Sequence, residues 1–219
     1  MLMKNIAVIL AGGTGSRIGG VKPKQFLMFN GKELFVHSLL TFTNCKSIDE
    51  IVLVVNDLYN NEYINIIKKY EISKKLVLVN GGKTRQNSVE NAIKCISENN
   101  ENAIVLVHDA ARPYVSEKII EDNIKAVKKF ECCTTAIPST NSIYLANDGN
   151  FQKEVDRDSV YIAQTPQSGY LKVFQKAFEN IDKIYTDEAA IFASAGYVPH
   201  IVLGEEKNIK ITYPEDLEK

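Results

Sequence analysis

Short apolar runs alternate along this chain with longer stretches of helical spacing. "NIAVIL" at 5–10, "EIVLVV" at 50–55, "KLVLVN" at 75–80 and "AIVLV" at 103–107 are nearly uninterrupted and rich in Val, Ile and Leu. That is how a strand reads when both faces of its sheet are covered, because neither side chain direction meets water. Between these runs, 33–42, 63–70, 85–96 and 116–130 place apolar residues on one face of a 3.6-residue period, so helices are expected there.

From about 133 to 164 the rhythm changes to short alternating runs around the turn "NDGN". No helical period survives, and the spacing predicts a β-hairpin arm at about 137–160. Such an arm has too little core to stand alone, so it should lie on the parent sheet or reach a second subunit. The tail restores helices at 171–179 and 187–195 and a strand at 200–203, followed by "KNIKIT" and a short terminal helix in "PEDLEK". With no repeat, low-complexity tract or long linker, one domain over 1–219 is expected. Strand and helix alternation predicts a Rossmann-like, doubly wound α/β fold with a mostly parallel sheet.

Chemistry concentrates directly behind the first strand, in "LAGGTGSRIGGVKPKQFL". Glycines there let backbone approach a ligand closely, and Arg17, Lys22 and Lys24 set cations beside it. This composition suits a polyanion such as a nucleoside triphosphate. Neither common phosphate fingerprint fits: the dinucleotide pattern fails at Thr14 or Ile18, and the P-loop pattern has Val21 where its lysine belongs. The formal charge of −1 offers no global field for nucleic acid or an anionic membrane, so any anion site must be local. No apolar stretch approaches a membrane span and no cleavage pattern opens the chain, which makes a cytoplasmic enzyme the expectation. Cys45, Cys95, Cys132 and Cys133 lack metal-ligand spacing and read as reduced thiols; His37, His108 and His200 read as packed residues without a catalytic role.

The opening loop resembles the signature of the CTP-dependent cytidylyltransferases of the nucleotidyltransferase superfamily, in the form used for 2-C-methyl-D-erythritol 4-phosphate and ribitol 5-phosphate. "GGKTRQNSV" at 81–89, "VHDAARP" at 107–113, "VDRDSVYIAQTPQ" at 155–167, "TDEA" at 186–189 and "NIKIT" at 208–212 follow in the family's order. The resemblance implies transfer of CMP from CTP to a polyol phosphate, pyrophosphate release, Mg²⁺ as cofactor, and a homodimer whose arm reaches the neighbouring subunit. It implies catalytic roles for Arg17, Lys24 and Lys210. The triphosphate, base and ribose would be held by Ala11, Gly12, Gly13, Thr14, Gly15, Ser16, Gly82, Lys83 and Ser88.

On the acceptor side the resemblance implies Asp109, Arg112, Ser142 and Arg157, with Asp109 also the protein's candidate contact to magnesium. A buried Asp–Arg pair bracing the loop is the competing reading of Arg112 and a helix-start polar residue that of Ser88; Arg85, in the segment that the resemblance sets at the nucleotide, has a helix-face role as its competing reading. Asn141 and Tyr144 depart from the family's acidic and basic residues, and Gly169 stands where phenylalanine is common; all three are expected on the acceptor side. The favoured acceptor is 2-C-methyl-D-erythritol 4-phosphate, for isoprenoid synthesis. Ribitol 5-phosphate or another polyol phosphate for surface polymers, and a non-catalytic nucleotide-binding protein, remain as alternatives.

The chemistry needs no protein base. A phosphate monoester is already largely dianionic near neutral pH. Catalysis must instead overcome repulsion between two anions, by positioning and charge neutralisation.

Overall fold

A computed structural model describes residues 3–13, 23–97, 102–179 and 181–218. Its helices are α1 (Leu34–Asn44), α2 (Asn60–Ile67), α3 (Arg85–Ser97), α4 (Glu117–Phe130), α5 (Leu171–Glu179) and α6 (Glu188–Ser194). Strands β1 (Asn5–Leu10), β4 (Glu50–Val55), β5 (Lys75–Asn80), β6 (Ile104–Asp109), β7 (Cys132–Pro138), β10 (Tyr161–Tyr170) and β11 (His200–Leu203) form one sheet in the order β11-β7-β10-β6-β1-β4-β5. Two small hairpins, β2 (Met28–Phe29) with β3 (Lys32–Glu33) and β8 (Ile143–Asn147) with β9 (Asn150–Val155), stand apart from it.

The expected α/β fold with a mostly parallel sheet is present, and it explains the apolar runs. Along β1, Ile6 and Val8 face one layer, packing with Val89 of α3 and Phe174 of α5. Ala7 and Ile9 face the other, with Phe35 of α1 and Ile119 of α4. Every residue of β4 and β6 is buried, as two-sided coverage requires. Among the described strands of the main sheet, β10 alone runs antiparallel to its neighbours, β6 and β7.

Several expectations need correction. The stretch from about 133 to 164 is not all arm: β7 and β10 are strands of the main sheet, and only 143–155 projects as a ribbon. Their sheet membership rests on long-range polar partners. Thr135 donates to the Pro166 carbonyl at 2.6 Å, and Ser168 donates to the Asn123 side chain of α4 at 2.9 Å. Gly169 lies in β10 within the core, where an added Cβ would meet the Phe192 ring at 3.2 Å. It is therefore a packing position and not an acceptor contact. The β2–β3 hairpin was unforeseen, although its Asn30-Gly31 turn, with φ of 45° and 80°, has the residues such turns demand. The 208–212 segment has no regular secondary structure and does not join the sheet, and Pro214–Glu218 forms a short 3-10 helix.

Topology then fixes where a ligand can go. After β1 the chain builds outward through β4 and β5, then returns to place β6 on the other flank of β1. The carboxyl ends of β1 and β6, with Leu10 level with Asp109, thus form a switch point, the position at which open α/β sheets hold ligands.

Candidate active site

A cavity of about 700 Å³ opens at this edge, lined by residues from four strand ends: Gly12 and Gly13 after β1, Asn56 after β4, Gly81 and Gly82 after β5, and Asp109 of β6. Lys24, Lys83, Arg85 and Lys210 face Asp57 and Asp109 across it, an excess of cations within a chain of net charge −1. Gly12, Gly13, Lys24, Gly82, Lys83, Ser88, Asp109 and Lys210, all singled out in the sequence, line this one cavity.

The loop between β5 and α3 is shaped by its own hydrogen bonds. Thr84 caps α3 by accepting from the Asn87 amide at 3.1 Å. Ser88 Oγ donates to the Thr84 carbonyl and accepts from the Gly82 amide, both at 3.0 Å. Only glycine fits at 82, because an added Cβ would stand 2.3 Å from the Asn87 Cβ. Ser88 lines the cavity, and its hydroxyl serves the helix start.

Asp109 is the electrostatic centre. Its side chain is 11% exposed; Oδ1 accepts from Arg85 Nε at 3.0 Å and Oδ2 from Lys210 Nζ at 2.5 Å. Burial alone would raise this carboxyl's pKa, but the Arg85 and Lys210 charges outweigh it and hold the group well below the ordinary range. Lys24 Nζ donates to the Ile211 carbonyl at 2.6 Å, next to Lys210 in the chain, so the two lysines converge from opposite ends of the sequence. Asn208 anchors that segment: wholly buried, it donates to the Gln164 side chain at 3.1 Å and the Thr165 carbonyl at 3.0 Å.

Other expected residues fall elsewhere. Arg112 does not line the cavity or pair with Asp109 by hydrogen bond; it donates to the carbonyls of Asn208 at 2.8 Å and Ala163 at 3.2 Å, which makes it the brace of the Lys210 segment. Ala11 is fully buried behind the wall, its amide bound to the Val54 carbonyl and its own carbonyl accepting from the Tyr63 hydroxyl. Ser142 and Arg157 are exposed beside the β8–β9 ribbon, away from the cavity wall. Thr14, Gly15, Ser16 and Arg17 lie outside the described residues.

Sequence reasoning weighed Arg85 between the nucleotide segment and a helix face, and missed its partner Glu188 of α6. Glu188 is wholly buried and takes both ends of the Arg85 guanidinium, at 2.6 and 3.0 Å. His108 packs under Asp109 with Nδ1 at 3.0 Å from Thr165 Oγ1, and burial lowers its pKa to about 4, so it is neutral at ordinary pH. Cys132 and Cys133 are buried free thiols whose pKa values burial pushes up to about 11 and about 12. Among the described residues, no group of three or more His, Cys, Asp or Glu side chains is placed to hold a metal, and no helix is long and apolar enough to cross a membrane.

Fold and cavity together define an α/β protein with a cation-rich cavity at the switch point of its mostly parallel sheet. The family follows from comparison. Residues 5–219 match the family IspD, 2-C-methyl-D-erythritol 4-phosphate cytidylyltransferase, and the chain belongs to that family. The enzyme of that name from Thermosipho africanus is 42% identical, with 97% of this chain and 94% of the relative covered. Among solved structures, the Francisella tularensis 2-C-methyl-D-erythritol 4-phosphate cytidylyltransferase superposes with a TM-score of 0.82 at 33% identity, covering 98% of this chain and 97% of that one. The 4-diphosphocytidyl-2C-methyl-D-erythritol synthase of Anaerococcus prevotii gives 0.84 at 29% identity, covering 99% and 93%.

Proposed function

We propose that this chain transfers CMP from CTP to 2-C-methyl-D-erythritol 4-phosphate, releasing pyrophosphate, as a step of isoprenoid synthesis. Its family membership carries the reaction class. For the residue roles, the supporting observation is that motifs spread from Gly12 to Lys210 converge on one cationic cavity at the switch point.

In this reading the acceptor's phosphate oxygen attacks the α-phosphorus of CTP in line with the leaving pyrophosphate. The P–O bond to pyrophosphate breaks as the new P–O bond forms. The backbone at Gly12–Gly13 and Gly82–Lys83 receives the nucleotide, helped by the positive end of α3. Lys24 and Lys210 neutralise charge that builds up as two anions meet, and Arg17 acts with them. Asp109 orients Lys210, and Ser142 and Arg157 reach an acceptor from the arm of a second subunit, in a cytoplasmic homodimer.

Magnesium fits this site in a particular way. It takes one or two carboxylates with phosphate oxygens and waters, and Asp109 is the buried carboxylate facing the cavity. Both oxygens of Asp109 are engaged by cations, so the triphosphate would supply most of the ligands. When bound, the ion adds positive charge to the triphosphate.

An acceptor panel tests the assignment. With CTP and Mg²⁺, kcat/KM should be highest for 2-C-methyl-D-erythritol 4-phosphate, by roughly a hundredfold or more over ribitol and glycerol phosphates, because misfitting polar groups are costly to bury. Equal or reversed ranking would remove the acceptor assignment, and nucleotide binding without turnover on any acceptor would remove the enzyme.

A further inference from the structure

Glu188 is absent from the cavity lining and wholly buried, yet it grips Arg85, a cation that also holds Asp109. The links are continuous. The start of α6 is pinned to β10, since Gln167 accepts from the Ala189 amide at 2.7 Å and donates to the helix-capping Asp187 at 3.1 Å. Glu188 then clasps Arg85 through Nη1 and Nη2, leaving Nε for Asp109 Oδ1, while Asp109 Oδ2 holds Lys210. A guanidinium gripped on two sides has a fixed plane, and that plane sets the orientation of the Asp109 carboxylate.

We propose that Glu188 is a positioning residue: by fixing Arg85 and balancing its charge, it keeps Asp109 as the resting counter-ion of Lys210 and keeps Arg85 from competing for the substrate's phosphates. The inference rests on the proposed role of Lys210. A buried ion pair is seldom the cheapest way to fill a core, since apolar side chains of like volume serve stability as well. What this pair adds is direction. Without the Glu188 charge, Arg85 becomes a surplus cation beside the triphosphate. It should draw Asp109 and the nucleotide to itself, so CTP binding holds or tightens while turnover falls.

The test is steady-state kinetics with CTP, Mg²⁺ and 2-C-methyl-D-erythritol 4-phosphate on the full chain, normalised to folded protein by thermal melting. Glu188→Gln should lower kcat about tenfold or more with the KM for CTP unchanged or lower, a split that general loosening of the site does not produce. In an Arg85→Gln background, the Glu188→Gln change should have no further effect on kcat, because the two act as a unit. A kcat within twofold of wild type, a fall matched by a proportional rise in KM, or additive effects in the double variant would overturn the role. Should Glu188→Gln not fold, Arg85→Lys reads the link from the other side: it keeps the charge, loses the two-sided clasp, and should show lower kcat with little change in KM. Unchanged kcat there also overturns the proposal. Lys210→Ala separates the two levels: full turnover in that variant sinks the Lys210 assignment, whereas its loss beside a normal Glu188→Gln sinks only the role of Glu188.

Discussion

His108 and Asp109 are neighbours in sequence and opposites in electrostatics. Asp109 gains two cations, while His108 meets Thr165 Oγ1, the Arg112 carbonyl and Ser38 Oγ in a fully buried pocket. Burial lowers its pKa from 6.5 to about 4. In the unfolded chain the imidazole takes up a proton as pH falls through 6.5, and in the folded chain only near 4, so the unfolded state binds more protons in that window. Stability attributable to this residue is therefore intact above about pH 6.5 and declines as the pH falls towards 4, by roughly 2 kcal/mol at about pH 5. Urea unfolding at neutral and mildly acidic pH checks this: the loss should shrink in His108→Gln, and an unchanged pH dependence would refute it. At the same scale, Lys24→Ala and Lys210→Ala should each lower kcat roughly a hundredfold or more while the KM for CTP rises less than about tenfold. Losses confined to KM would recast both lysines as ground-state binders.

Elements fix the site by close contact of backbone with backbone. The β5–α3 loop is the clearest case, because Gly82 sits against Asn87 with no room for a methyl group. Gly82→Ala must push the loop off the helix start and break the Gly82 amide bond to Ser88, at a cost of about 1–3 kcal/mol in stability. Its KM for CTP should rise about tenfold or more with kcat little changed, measured by initial rates; a normal KM would show that this loop does not touch the nucleotide. The strands and helices that build this wall were legible in the sequence because apolar runs and helical periods follow from two-sided burial. Strands β7 and β10 were not, since "QTPQSG" has no apolar pattern and is held in the sheet by Asn123, Thr135 and Asp187, distant in the chain. Of the site, Lys24, Lys210 and Gly82 were visible through motifs. Arg112 was misplaced because its partners are carbonyls, which leave no mark in residue identities. Glu188 was hidden for a different reason: an acid in the first turn of a helix reads as a favourable end charge.

At the scale of the whole molecule, the β8–β9 ribbon is the unresolved element of the folding logic. Tyr144 and Phe151 pack edge to face at 5.2 Å, yet they are 58% and 64% exposed, and Ile162 nearby is also exposed. A two-stranded ribbon with so little buried surface gains stability only by covering that face with something else. A second copy of the chain is the expected cover, so sedimentation should give twice the chain mass, and Tyr144→Asp with Phe151→Asp should shift it to monomer; unaltered mass in that variant would separate assembly from the ribbon. If the acceptor site also spans two chains, lesions on opposite sides of it must complement. Arg157→Ala should raise the acceptor KM with CTP kinetics preserved, and Lys24→Ala should abolish turnover. Co-refolded in equal amounts and assayed at acceptor concentrations well below the KM of Arg157→Ala, they should form mixed dimers with one intact site each, restoring about a quarter of wild-type activity from parents that are both weak under those conditions. Activity equal to the mean of the separate variants would place Arg157 outside any shared site.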